Sequence, residues 1–465
     1  MQENIQDGQT AYKLKKYKLA AELLQKDFNK AELPDEKSKI AFQIGESYAN
    51  NNNYENAGEW YFKAYDLGYE SEAILQYALM LKAQEKYEEA LKEFEKYLLE
   101  EPYRRPEMTL EMDACKNGIA WKQRQENEYE RDTYVTEITT LNSGDADFNP
   151  VIYQGDKLIF TSSRDMSTGE NNDSWTGDKY YDLYVANIKD VTSFSAPELF
   201  KGPFNAAYND GTLAFNKDYS EVYFTRCGSD DRKVDDYCGI YVSNYLPDGG
   251  WSEPVALPFF DDTMNIGTPC LSLDGNTLFF AATNPDGYGG ADIYMSRRTE
   301  SGWDAAYNAG QVINTSGNEV FPYFDSEGVM YFSSDKHPGL GGLDIFSATW
   351  KNNKFSNIKN LEYPINSGAD DFGMILLDKK QFADSDTLNA GYFSSNRKGG
   401  MGDDDMYFFA KTTKKLRPPV FVLKGTVLEK VYLDSLDVNS TVLDTIPLDK
   451  SIATLSYPNE QTLLG

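Results

Sequence analysis

Residues 320–348, with the sequence VFPYFDSEGVMYFSSDKHPGLGGLDIFSA, decide the fold because close relatives of this stretch recur on both sides of it. The stretch contains an alternating strand at 320–324, a turn at Gly328, a β-prone run at 330–334 and a glycine-rich loop at 339–342. This order predicts two hairpins in succession, which is the pattern of a β-meander.

The β-prone run is the part of the repeat that is easiest to follow. It recurs, in chain order, as LIFTS at 158–162, VYFT at 222–225, LFFAA at 278–282, MYFSS at 330–334 and GYFSS at 391–395. Successive copies begin 52 to 64 residues apart. A unit of this length holds about four strands, the size of one propeller blade, so the sequence predicts a β-propeller.

A recurrent asparagine gives the number of blades. Between the outer strand of one unit and the inner strand of the next lie Asn205, Asn265, Asn314 and Asn366. A fifth, Asn142, lies before the first unit, and the strand at 135–141 ahead of it belongs to no blade of its own. The last unit in turn ends without an outer strand. We therefore expect strand 135–141 to complete the last blade and to close a five-bladed ring over residues 132–415, which leaves no bare sheet edge.

The composition limits the classes of partner. The 465 residues carry a formal net charge of −29, which repels nucleic acid and anionic lipid, so neither is an expected partner. No apolar run approaches the roughly 20 residues that a spanning helix needs, so no transmembrane segment is expected. The polar start at 1–4 has no signal-peptide pattern, which leaves open both a cytosolic protein and an exported one whose signal has been removed.

Residues 1–131 are predicted to form a helical array. The segments YENA at 54–57 and YEEA at 87–90 are 33 residues apart, and a weaker copy, YKLA, lies at 17–20. This spacing, with its pattern of small and large residues, is typical of tetratricopeptide repeats, in which paired helices stack side by side. A final amphipathic helix from Pro106 is expected to cover the exposed end of the stack.

The first helix of each repeat lines the concave face of such an array, and this face is our candidate partner-binding site. It comprises Lys39, Phe42, Glu46 and Asn50 from the second repeat and Leu75, Leu79 and Lys82 from the third. On an open groove Phe42 and Leu75 could anchor a peptide or helix of another protein, but both could equally pack under the neighbouring helices. We expect Lys39 and Lys82 to lie outside the core.

The composition changes after Thr413. A basic, proline-containing linker is followed by an alternating apolar run at 420–427 and a second run at 452–457. Two or three strands cannot bury a sheet face alone. Residues 416–465 are therefore predicted to be a linker and part of a β-sandwich.

The pattern of cysteine, histidine and acidic residues bears on a disulfide and on metal binding. Cys227 and Cys238 flank one hairpin loop of the second blade, and we expect a disulfide between them, with two free thiols as the alternative. Such a bridge favours an oxidising compartment. His337 has no Cys or His neighbour and the acidic clusters lack EF-hand spacing, so neither a metal nor a cofactor is expected.

The residues that could carry chemistry recur with the blades. Glycine-rich loops at 287–290, 339–342 and 399–402 open no helix, so we expect them to shape connections and not to bind phosphate. One position in four blades is held by Asp182, Asp292, Asp344 and Asp405, with Gly239 in the remaining blade, and we expect these carboxylates to accept loop N–H bonds. Because nucleophile-elbow and zinc-protease motifs are missing and only one histidine is present, we expect no catalytic residues and no enzyme activity.

Two segments resemble known families. The blade phrase, as in LFF at 278–280 with GGADIY at 289–294, resembles the repeats of TolB-type periplasmic propellers. The runs VLKGTV at 422–427 and IATL at 452–455 resemble the opening of a carboxypeptidase-regulatory-like β-sandwich. Tetratricopeptide repeats, propeller and sandwich in this order resemble the PorE-like envelope proteins of the type IX secretion system in Bacteroidota.

This resemblance implies a non-enzymatic periplasmic scaffold, associated with the outer membrane, that binds protein partners of a secretion complex and links it to the cell wall. In that family an OmpA-like domain follows and binds peptidoglycan, so peptidoglycan is expected as a partner only through a domain that this sequence lacks. The alternative is a ligand- or ion-sensing propeller that binds a small molecule in its central channel.

Overall fold

The computed structural model describes residues 5–165, 167–168, 179–228, 237–259, 264–382, 386–413, 428–447, 453–457 and 460–464. Contacts divide the chain into two compact units, Met1–Lys415 and Leu416–Gly465. No helix among the described residues is long and apolar enough to cross a membrane.

The first part of the larger unit is helical. Within the described residues its α-helices are α1 (Gly8–Lys13), α2 (Tyr17–Lys30), α3 (Pro34–Ala49), α4 (Tyr54–Asp66), α5 (Glu72–Ala83), α6 (Tyr87–Glu100) and α7 (Arg105–Glu126). Helix α4 begins at a side-chain cap, because the amide oxygen of Asn53 accepts a hydrogen bond from the N–H of Asn56 (3.2 Å). Helices α3 and α4 approach closely at Gly45, where a Cβ would lie 2.7 Å from Cδ1 of Tyr61. The smallest residue therefore faces a large aromatic ring, as the repeat pattern predicts.

The predicted five-bladed β-propeller is confirmed. Strand β1 (Thr133–Glu137) precedes the blades. The first blade has β2 (Asp147–Tyr153), β3 (Lys157–Ser162), β4 (Asp182–Asp190), β5 (Ser193–Phe194) and β6 (Glu198–Leu199), and the second has β7 (Asn209–Phe215), β8 (Glu221–Cys227), β9 (Cys238–Asn244) and β10 (Val255–Ala256). The third has β11 (Ile266–Leu271), β12 (Thr277–Thr283), β13 (Ala291–Thr299), β14 (Gly302–Trp303) and β15 (Tyr307–Asn308). The fourth has β16 (Glu319–Phe324), β17 (Val329–Ser334), β18 (Asp344–Lys351) and β19 (Lys354–Asn360), and the fifth has β20 (Asp371–Leu376), β21 (Thr387–Ser395) and β22 (Asp405–Thr412).

The ring is closed by its first strand. Strand β1 lies antiparallel to β22, with Thr133 opposite Lys411 and Glu137 opposite Tyr407. The sequence placed the closing strand at 135–141, but the strand ends at Glu137. The chain turns there, because the N–H of Leu141 donates to the carbonyl of Ile138 (3.0 Å) and cannot join the sheet.

The recurrent asparagines tie each blade to the connection that follows it. The amide of Asn314 accepts from the N–H of Ile293 (2.8 Å) and donates to the carbonyl of the same residue (2.9 Å), as a paired strand residue would. The same two bonds join Asn205 to Leu183, Asn366 to Ile345 and Asn142 to Met406. The last of these pairs spans the closure of the ring, which explains why Asn142 lies in phase with the others.

The recurrent aspartates each accept a backbone N–H from the loop that precedes their strand, as expected from the sequence. Each carboxylate accepts a backbone N–H: Asp182 from Thr168 (2.5 Å), Asp292 from Tyr288 (2.6 Å), Asp344 from Gly341 (3.1 Å) and Asp405 from Gly402 (3.1 Å). Each of these four side chains is buried. Their repetition is therefore explained by loop geometry.

The smaller unit contains two hairpins among its described residues. Strand β23 (Leu428–Tyr432) pairs with β24 (Val442–Pro447), and β25 (Ala453–Tyr457) pairs with β26 (Glu460–Leu464). The described strands form two separate two-stranded sheets, so the predicted sandwich is not shown. The predicted run at 420–427 lies outside the described residues.

Candidate partner-binding groove and propeller channel

The helical region packs against the propeller chiefly around Leu340 of the fourth blade, with the partly buried Tyr363 beside it. Leu340, in the glycine-rich loop before β18, is 0% exposed and belongs to a cluster with Ile74 of α5, Tyr87 of α6 and Cys115 of α7. A Cβ at Gly118 of α7 would lie 2.8 Å from the Tyr87 ring and 3.0 Å from Leu340. The core of the last helices is therefore completed by the propeller.

Polar contacts surround this apolar contact. Arg124 of α7 forms an ion pair with Glu362 of the fourth blade (2.5 Å). Glu85, between α5 and α6, accepts from the N–H of Gly368 (3.2 Å) and pairs with the ammonium of Lys122 (2.6 Å). Helices α5 to α7 are thus fixed on the loops of the fourth and fifth blades.

Three residues of the predicted partner-binding face are buried. Phe42 stacks on Tyr69 with ring centroids 4.4 Å apart, and Leu75 lies in the cluster that contains Leu340. Both residues therefore pack under neighbouring side chains and do not lie open on a groove. The expectation that Lys82 lies outside the core is wrong: its side chain is buried and its ammonium lies 2.6 Å from the carboxylate of Glu111.

The other predicted residues differ in their surroundings. Leu79 is half-buried and packs against the cluster around Leu340. Glu46 is half-buried and accepts a hydrogen bond from the hydroxyl of Tyr12 (2.5 Å), and burial raises the pKa of its carboxyl. Lys39 and Asn50 are exposed on α3. The amide of Asn50 donates to the carbonyl of Glu46 (2.7 Å), so of these two residues Lys39 is the one considered further as a contact for a partner.

A groove lies along the first three helices and includes Lys39. Its volume is about 790 Å³, and it is lined by Gln9, Asp27, Lys30, Ala31, Glu32, Leu33, Glu36, Lys39, Ile40 and Gln43. The amides of Gln9 and Gln43 join α1 to α3 across it, with a hydrogen bond of 2.6 Å. The groove is therefore polar at its sides, with the buried Ile40 at its base.

On the propeller, the adjacent carboxylates of Asp370 and Asp371 are both engaged by neighbouring groups. Asp371 is 0% exposed and forms an ion pair with Arg397 (2.5 Å), and burial raises the pKa of its carboxyl. Asp370 accepts from the N–H of Leu343 (2.7 Å) and from the amide of Asn396 (2.9 Å). The carboxylate of Asp371 is therefore closed to a partner, whereas that of Asp370 is half-buried.

The acid of Asp371 belongs to a repeated arrangement. In the first two blades the buried Asp147 and Asp210 likewise pair with Arg164 and Arg226. Burial raises the pKa of Asp210 to about 7, against the opposing effect of Arg226. These pairs hold the start of the inner strand to the end of the middle strand.

Cys227 and Cys238 lie opposite each other at the end of the hairpin β8–β9 and form a disulfide. Cys115 and Cys270 are buried free thiols. His337 contacts the carbonyl of Ile313 through Nε2 (2.7 Å). No group of three or more His, Cys, Asp or Glu side chains in the described part of the chain could hold a metal ion.

The inner strand of every blade carries a bulge at the same place. The strand register shifts there, and the residue at the bulge has a positive φ: Asn149 (55°), Thr212 (33°), Thr268 (50°), Phe321 (53°) and Gly373 (61°). The bulges also join neighbouring blades, because the N–H groups of Asn149, Thr212 and Thr268 donate to Ser394, Thr161 and Thr225 at 2.9 to 3.0 Å. A positive φ is uncommon outside glycine, and its repetition shows that the ring requires it.

Beyond the bulges, the inner strands enclose a pocket in the central channel. The pocket has a volume of about 260 Å³ and is lined by residues of all five inner strands, among them Val151, Phe215, Cys270, Tyr323 and Met374. The blade repeat does not single out these residues. The dipeptides Asn149-Pro150, Thr268-Pro269 and Phe321-Pro322 could have located the bulges, because three inner strands share a proline at one position.

Comparisons with known proteins give similarities of fold only. No protein-family model matches the chain, and no curated protein matches it. Among solved structures, the α-L-arabinofuranosidase of Podospora anserina in complex with cellotriose is 11% identical, with 59% of this chain and 92% of that chain covered and a TM-score of 0.37. A putative TolB from Agrobacterium tumefaciens is 13% identical (68% and 89% covered, TM-score 0.35), and a gluconolactonase from Xanthomonas campestris is 11% identical (60% and 90% covered, TM-score 0.35).

These similar structures correct one expectation. Several are enzymes by name, including the arabinofuranosidase, the gluconolactonase, a luciferin-regenerating enzyme and a puromycin-hydrolysing peptidase. The expectation that the chain is not an enzyme is therefore withdrawn. A propeller holds its shape through the blades while its loops and channel vary, so symmetry of the blades does not exclude catalysis.

Proposed function

We propose that this chain is a scaffold that binds a protein partner in the groove along α1 to α3 and holds that partner at a fixed position relative to the propeller. The observation that carries the proposal is the insertion of Leu340 into the core of α5 to α7. It attaches one end of the helical region to the propeller and leaves the groove at the other end open.

The chemistry of the groove favours an extended polar segment of the partner. Lys30 and Lys39 supply positive charge, whereas Asp27 and Glu36 supply negative charge along the same groove. With both signs of charge along the groove, a partner is selected mainly by whether its own charges follow the complementary order, and less by the net charge of either protein. The exposed Leu33 at the rim, 67% accessible, offers an apolar anchor.

The finer assignment is also a proposal. We propose that the helices are tetratricopeptide repeats, that the smaller unit is part of a carboxypeptidase-regulatory-like sandwich, and that the partners belong to a type IX secretion complex at the outer membrane. The order of these modules in the sequence supports this assignment, and the disulfide of Cys227 and Cys238 supports the periplasm. Peptidoglycan is proposed as a partner only through a further domain.

A charge reversal in the groove tests the proposal. The full chain is immobilised and exposed to envelope extract of a Bacteroidota species, and captured proteins are quantified by mass spectrometry. Lys39→Glu should abolish capture of the specific partner, while Lys92→Glu, an exposed lysine on α6 outside the groove, should capture as much as the unmodified chain. Lys82 is unsuitable as a probe because its reversal breaks a buried ion pair.

Equal capture by the unmodified chain and Lys39→Glu would move the docking site away from the groove. Melting curves of both variants provide the control for folding. Neither position is buried, so we expect both melting temperatures to match that of the unmodified chain.

A further inference from the structure

We propose that the central channel binds a small, neutral aromatic molecule that carries an N–H or O–H donor. This site is separate from the proposed scaffold function, since the pocket lies within the propeller and the groove lies on the first helices. Five observations on the pocket support the assignment, and they concern its size, its charge, its backbone, its aromatic residues and its strain.

The size of the pocket restricts its occupant. A volume of about 260 Å³ is too small for a helix or a folded domain of a partner. An apolar cavity of about 150 Å³ is sufficient for benzene, so the pocket has room for a somewhat larger ring system. A fused pair of rings is therefore the expected size.

The charge of the lining restricts the occupant further. In a chain with a net charge of −29, the described residues that line the pocket include no charged side chain. The lining includes Asn149, Cys270 and Tyr323 as polar side chains. An ion would lose its hydration there without gaining a partner of opposite charge, so a neutral ligand is favoured.

The backbone of the lining favours a hydrogen-bond donor. Each inner strand is the last strand of its sheet, so one edge of it faces the channel without a neighbouring strand. At the position after the bulge, three of the five blades have a proline: Pro150, Pro269 and Pro322. Proline has no N–H group, so each of these three positions brings a carbonyl acceptor to the lining without a donor.

One blade departs from the symmetry of the others. Its bulge residue is Phe321, whereas the other bulges have Asn, Thr or Gly. A bulky residue with φ of 53° is strained, and such strain persists where the surrounding structure imposes it, often at ligand sites. The ring of Phe321 lies 4.8 Å from that of Phe372, and Phe321 lines the pocket. It offers an aromatic face to a flat ligand.

Indole is the probe, because it is a neutral fused ring with one N–H donor. Binding is measured by isothermal titration of the full chain, with N-methylindole as the analogue that lacks the donor. We expect indole to bind and N-methylindole to bind about fivefold more weakly, the value of one neutral hydrogen bond. No indole binding at millimolar concentration, or equal binding of the two compounds, would overturn the proposal. This comparison uses the unmodified chain and does not depend on a variant folding.

A pair of variants locates the binding. Ala214, a small residue that lines the pocket, is replaced with phenylalanine, and the exposed Ala256 of β10 receives the same change as a control. Ala214→Phe should weaken indole binding at least about tenfold, and Ala256→Phe should leave it within about twofold. Tight binding by a folded Ala214→Phe variant would place indole elsewhere and refute the channel site. Loss of this binding has no bearing on capture of a protein through Lys39.

Discussion

Replacing Leu340 with alanine tests how firmly the helical region is held on the propeller. The side chain is fully buried, and burial of a leucine contributes about 1.5–3 kcal/mol. A Leu→Ala change in a core costs about 2–5 kcal/mol, because the cavity adds to the lost transfer energy. Leu340 sits on a loop that can relax into the space, so we expect a loss of about 2–3 kcal/mol.

Hydrogen exchange measured by mass spectrometry locates this loss. If α5 to α7 open with a free energy lower by that amount, their protected amides should exchange roughly 30- to 150-fold faster. Leu158→Ala is the matched control, because Leu158 is equally buried but lies in the core between the first and fifth blades. It should speed exchange in the propeller strands and leave α5 unchanged. Unchanged exchange in α5 to α7 of Leu340→Ala would refute the attachment.

Three further predictions concern the ring and its loops. Asn142→Ala leaves the buried N–H of Met406 without an acceptor at the ring closure, whereas the carbonyl of Met406 keeps its bond from the N–H of Ile138. We therefore expect a loss of about 1–3 kcal/mol in denaturant titration. Hydrogen exchange should rise in β1, whereas Asn314→Ala should affect only the third blade. Mass spectrometry without reductant should find Cys227 and Cys238 unalkylated, and reduction should cost about 3 kcal/mol, while free alkylation of both would contradict the bond. Burial raises the pKa of Asp344 to about 8, so the contribution of this carboxyl to stability is full below about pH 4 and is lost as the pH rises through 8. The urea midpoint of the unmodified chain should therefore fall between pH 5 and 9, and Asp344→Asn should make this fall smaller. An equally large fall in the variant would contradict the assignment to Asp344.

The repeat made the propeller predictable. The β-prone run occurs five times, each time with an asparagine at the corresponding position, and this predicts five blades. The run recurs because every blade packs the same strand against its neighbours. The closing strand was predicted at 135–141 but lies at Thr133–Glu137, because the local sequence does not show at which residue a strand begins or ends. The recurrent aspartates were predicted for the same reason as the blades.

The partner face was only partly predictable, because its burial depends on a distant contact. Leu75 and Lys82 occupy positions that are open in a free helical array, and no local pattern shows that Leu340, more than 250 residues later, covers this end. The channel was missed for another reason. The side chains that line it come from five strands, and the sequence shows each strand only as one of several in its blade.

The closing strand β1 has a consequence for synthesis. Thr133 is made 278 residues before its partner Lys411, so at 5–20 residues per second the strand waits roughly 14–56 s for its neighbour. During this time the four earlier blades can form, but the ring stays open and exposes a strand edge on each side of the gap. The strand contains Thr133, Thr136 and Glu137, so it has a polar surface during the time in which it is unpaired and exposed to solvent. The last residues of the fifth blade to emerge are therefore the ones that protect the newly made chain from joining its edges to another copy.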